Sequence, residues 1–143
     1  MTLETVPDYS AFRDSSIGQV YNEAAFSYFL DVDRRRLQRS QRSIILVLVS
    51  VRHHAGRSAP LTDAEAAPLF AGLTHSVREV DFVGWYRDGR VVGAVLPQAG
   101  GASDEGRRLI ASRIVKSVTK VLPRDVARRL HVRAVALGGK VQR

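Results

Sequence analysis

Cysteine is absent from the 143-residue chain, which excludes a disulfide framework and thiolate chemistry. Proline is scarce, at 5 residues, while 45% of the chain is hydrophobic; that balance belongs to a folded domain rather than a disordered one. Long apolar runs are missing too. The most apolar stretch, Ile44–Val51, falls well short of the ~18 residues a membrane-spanning helix needs. The first residues include Glu4 and Asp8 and lack a basic-then-apolar run, so no secretory signal is expected and a cytoplasmic domain fits. Acidic residues are also in deficit. There are 14 against 22 Lys and Arg, a formal charge of +8. The excess is uneven: Asp31–Arg57 carries seven Arg against two Asp, and Asp104–Arg143 eleven Lys or Arg against three acids. Such a field suits an acidic partner, nucleic acid, an anionic surface or a phosphorylated ligand, and equally serves solubility.

From Tyr21 onward the apolar period is helical, with Phe26, Phe29, Leu30, Asp33 and Leu37 on one side. Ile44–Val51 ("IILVLVSV") is continuous, β-branched and apolar, the pattern of a central strand covered on both faces. Thr62 and Glu65 have capping-box spacing, and Ala66, Leu69, Phe70, Leu73 and Val77 form a helical stripe behind them. Phe82–Tyr86 and Arg90–Leu96 read as strands joined at Asp88-Gly89, a strong hairpin signal. Ser103 is placed to cap a second long helix lined by Leu109, Ile110, Ile114, Val118 and Val121, and His131–Leu137 is the last strand. The order predicts an α+β fold: a ferredoxin-like β-α-β-β-α-β core, a mainly antiparallel sheet with helices on one face, and an extra N-terminal helix. Residues 1–18 are expected to be an arm or short helix, 19–140 the domain and 141–143 a tail.

Several chemistries find little footing. The two expected central strands, "IILVLVSV" and "RVVGAVL", carry no aromatic, whereas sheet-based RNA recognition stacks bases on such residues. Nucleic-acid binding therefore rests on charge alone and would be non-specific. His53-His54 are adjacent in a loop without a nearby acid, and no paired carboxylates follow Ile44–Val51, where a divalent ion would need oxygen ligands. Nor is there a phosphate-binding glycine loop ending in Gly-Lys-Ser/Thr. Gly100-Gly101 could touch a phosphate, and the simpler expectation is a turning loop. No metal site and no cofactor are expected.

The ordered segments "VYNEAAFSYFLDVDRRRLQRSQRSIILVLV", "REVDFVGWY", "GAVLP" and "HVRAVALGG" together resemble a GGDEF domain, the fold family of diguanylate cyclases, over roughly Val20 to Gly138. The likeness implies that family's fold. Its signature turn is replaced here by "RDGRV": Arg87, Asp88, Gly89 and Arg90 supply neither the family's glycine pair nor its acidic pair. Val51-Arg52 stands where an acidic metal ligand is expected. Metal-assisted phosphoryl transfer depends on those carboxylates, so the resemblance implies a degenerate, non-catalytic domain with no catalytic residues. One element matches: Arg78-x-x-Asp81 corresponds to the family's product-binding inhibitory site and implies cyclic di-GMP as a ligand, with the guanidinium donating to guanine or phosphate. The competing reading is an Arg at a helix end paired with Asp81. Trp85 and Tyr86, with Arg34, Arg35 and Arg36 as a charged rim, are candidates for a protein interface or self-association as a dimer. A regulatory or scaffolding role in a cyclic-di-GMP-linked pathway is the expectation.

Overall fold

The computed structural model describes residues 11–14, 18–37, 39, 42–52, 56–76, 82–98 and 103–137. Ten elements follow one another: β1 (Ala11–Asp14), β2 (Gly18–Tyr21), α1 (Glu23–Leu37), β3 (Ser43–Val51), α2 (Asp63–Ser76), β4 (Phe82–Arg87), β5 (Val91–Gln98), α3 (Asp104–Thr119), α4 (Arg124–Arg128) and β6 (Leu130–Leu137). Among the described residues the sheet has six strands, in the order β1-β2-β4-β5-β3-β6.

The stretch from β3 to β6 runs strand, helix, hairpin, helix, strand, but the topology departs from the expected pattern in three places. Residues 11–14 of the expected arm or short helix form β1, which pairs with β2 in a hairpin, and β2 joins β4 in parallel through Tyr21 and Gly84. The sheet is therefore mixed. The short α4 precedes the last strand. Lastly, the helices are not confined to one face. On one side Ile45, Val47, Val49 and Val51 of β3 pack with Leu69, Phe70 and Leu73 of α2 and Ile114 and Val118 of α3. On the other, Ile44 and Leu46 pack with Phe26, Leu30 and Leu37 of α1. A strand apolar at both parities requires two cover layers, and α1 is the second.

Local signals settle the helix starts. Thr62 and Glu65 form the reciprocal capping box, with the Thr62 N–H donating to Glu65 Oε1 (3.0 Å) and the Glu65 N–H to Thr62 Oγ1 (3.2 Å). Ser103 Oγ accepts from the Gly106 N–H at 2.9 Å. In α3 the expected stripe holds at Ile114 and Val118, which are fully buried, and fails at Leu109 and Val121, which are 57% and 53% exposed. Val121 lies past the end of α3 at Thr119, where the helical period no longer applies. No described helix is long and apolar enough to cross a membrane.

Candidate functional site

The β4–β5 hairpin turns at Arg87–Arg90, closed by the Arg90 N–H donating to the Arg87 carbonyl at 2.9 Å. Gly89 has φ +71°, a conformation glycine adopts without penalty. The register slips between Trp85, opposite Val92, and Arg87, opposite Val91, so β4 carries one extra residue in a bulge at Tyr86.

Three contacts hold the tip against the rest of the domain. The Asp88 N–H donates to Glu23 Oε1 at 2.6 Å, fixing the turn to the first residue of α1. The Gly89 carbonyl accepts from the Leu61 N–H at 2.7 Å. Arg90 Nη1 donates to the Ser58 carbonyl at 2.8 Å. Arg87 folds back over the Tyr86 ring, 4.4 Å from its centroid. The tip thus carries Asp88, with Glu23 bound to its backbone, and Arg87 and Arg90 flank Asp88 in the chain. That balanced set attracts a metal–triphosphate far less than clustered carboxylates do. Glu23 is the neighbour of the tip that sequence reasoning missed. Its first-turn position was legible, but its partner is 65 residues away.

Beyond β3, Arg52 donates through Nη1 to the Gly56 carbonyl (2.9 Å), and Arg129 Nη1 donates to the Arg52 carbonyl (3.1 Å) while pairing with Asp125 (3.0 Å). Backbone and ion-pair duties occupy these arginines. His131, opposite Ser50, has a pKa held below the ordinary 6.5 by burial first, then by Arg52 and Arg133. The unfolded chain therefore takes up this proton more readily than the fold does. Its stabilising contribution is present above pH 6.5 and is lost as the pH falls through the lowered folded-state value. We expect NMR titration to place the His131 midpoint below 6.5 and Arg133→Ala to raise it; a midpoint above 6.5 would contradict this geometry. His53, His54, Gly100 and Gly101 lie outside the described residues.

Arg34, Arg35 and Arg36 are all exposed on the last turn of α1, with Arg35 3.6 Å from Asp31 and Arg36 3.8 Å from Asp33. The Arg35–Asp31 pair, exposed on both sides, contributes little stability, and the Arg35 and Arg36 guanidiniums stay accessible. Beside them Tyr21, Tyr28, Phe29 and Phe82, with Val32, Asp33 and Arg36, line an open groove of about 440 Å³. Tyr28 is 46% exposed. Of the two aromatic candidates, Tyr86 is half-buried on this α1 side, edge-on to Phe26 at 6.4 Å. Trp85 points the other way, 8% exposed and edge-on to Phe70 at 5.2 Å; its ring is core and presents little surface. Arg78 and Asp81 lie outside the described residues, although Phe82, next along the chain, is on the groove wall.

No family model and no curated protein matches the chain. Among solved structures it is similar to the crystal structure of the FimX GGDEF domain from Pseudomonas aeruginosa, with 15% sequence identity, a TM-score of 0.59, and a match covering 94% of this chain and 83% of that one. At that identity the likeness concerns architecture: the chain has an α+β fold similar to that of a GGDEF domain.

Proposed function

We propose that this is a non-catalytic GGDEF-like domain that works as a regulatory or scaffolding module through protein–protein contact. The observation that carries this reading is the hairpin tip, where Asp88, Gly89 and Arg90 are engaged by Glu23, Leu61 and Ser58 and two arginines offset the two acids. A turn held this way, without a glycine pair, gives a nucleotide triphosphate little backbone to approach and gives metal ions no excess of carboxylate. Titration with GTP and magnesium, followed by amide chemical shifts, is expected to leave Asp88 and Gly89 unmoved. Saturable, metal-dependent shifts at both would overturn the reading.

A second reading, cyclic di-GMP binding through Arg78 and Asp81, is favoured by the groove that begins at Phe82, since its aromatic wall and Arg36 offer stacking and phosphate contacts. In the same titration series, cyclic di-GMP binding that is lost in Arg78→Ala supports it, and no binding to the folded chain removes it.

A further inference from the structure

Among the described residues β6 is the last strand of the sheet order, paired with β3 on one side. The Arg52 N–H donates to the Arg129 carbonyl at 2.8 Å, which marks that pair as hydrogen-bonded. Antiparallel pairs alternate, and the register from Val51 opposite Leu130 to Ile44 opposite Leu137 is unbroken. His131, Arg133 and Val135 therefore spend their backbone groups on β3, while Val132, Ala134 and Ala136 direct theirs to the open edge. In agreement, Arg107 on α3 reaches the Ala134 carbonyl at a long 3.4 Å.

Along this edge runs a hollow of about 350 Å³ between α3 and β6, lined by Asp104, Arg107, Arg108, Ala111, Val132 and Ala134. Its floor is small and apolar, and its rim is arginine, with Asp104 paired to Arg107. The opposite face of β6 carries His131 and exposed Arg133. Any strand added to this edge continues the period of two: neighbours of Val132 and Ala134 meet the apolar floor, and the neighbour of Arg133 meets positive charge.

We infer that the β6 edge is a docking site for an extended segment of another protein in which apolar residues alternate with aspartate or glutamate, bound by strand addition. This deepens, and rests on, the reading of the domain as a protein-interaction module. Charge selects the occupant. A second copy of the chain would bring its own Arg133 to the same edge, which like-charge pairing disfavours, whereas an acidic strand pairs with Arg133. Main-chain bonds to Val132 and Ala134 supply affinity, and alternate side chains supply selectivity.

The test uses the whole chain and a peptide of alternating valine and glutamate, as long as the 8 residues of β6. Calorimetry should show saturable binding, weakened about tenfold or more by Ala134→Pro, by Arg133→Glu, or by N-methylation of the peptide on alternate residues. Proline at 134 removes only an outward N–H, so the β3 ladder and the thermal midpoint should persist; should that variant not fold, the N-methylated peptide makes the same test on the unaltered protein. A lysine-for-glutamate peptide should not bind. No binding to the folded chain, binding indifferent to Ala134→Pro and N-methylation, or displacement of the peptide by a mixed-sequence oligonucleotide that itself binds more tightly would overturn the inference. Formation of cyclic di-GMP from GTP by the same preparation would instead remove the non-catalytic reading, whatever the peptide does.

Discussion

Phe26→Ala is expected to lower the free energy of unfolding by about 3–5 kcal/mol, the usual cost of emptying a packed phenylalanine site. The ring is 1% exposed and sits edge-on to Phe82 at 5.2 Å. Its seat is made by a glycine pair, Gly84 opposite Gly93. A Cβ on Gly93 would stand 2.7 Å from the Phe26 Cζ, and one on Gly84 3.1 Å from its Cδ1. Gly93→Ala should therefore cost about 1–3 kcal/mol through overpacking. With Phe26 truncated, the added methyl has room, and the double variant should be less destabilised than the sum, with a coupling of about 0.5–3 kcal/mol. Urea unfolding of the four proteins measures this cycle. Additive effects would mean that the ring and the glycine do not meet.

The second large effect separates core from interface. Trp85→Ala should destabilise the domain by about 3–5 kcal/mol, because the indole packs edge-on to Phe70 at 89° between sheet and α2. An interface anchor behaves otherwise, since its truncation spares the isolated fold and weakens the complex. Circular dichroism through a denaturant series reads the change without relying on tryptophan emission. A loss below about 1 kcal/mol, the range of surface substitutions, would return Trp85 to the surface.

These two sites also show what the sequence could carry. The Tyr21-Asn22-Phe26 spacing is legible and has a physical basis: the Tyr21 carbonyl lies over Gly84, Asn22 Oδ1 caps α1 by accepting from the Ala25 N–H at 2.9 Å, and Phe26 fills the glycine seat. The capping box of Thr62 and Glu65 and the turn at Asp88-Gly89 are legible for the same reason, since each is decided within a few residues. The apolar run of β3 was itself a sign that both faces needed cover, although pattern alone did not say which helix would supply the second layer. What stayed hidden depends on long-range pairing. Strands β1 and β2 are 4 residues each, too short to show a period. The Glu23–Asp88 contact links helix start to hairpin tip, and the edge position of β6 among the described strands follows only from the strand order.

Catalysis is the property on which the account turns, and product formation is the most direct measurement of it. Purified, folded protein incubated with GTP and magnesium or manganese, with products separated and identified by mass, is expected to yield no cyclic di-GMP, and Glu23→Gln and Asp88→Ala should leave that result unchanged. Accumulation of cyclic di-GMP that disappears in Asp88→Ala would contradict the account and make the hairpin tip an active site.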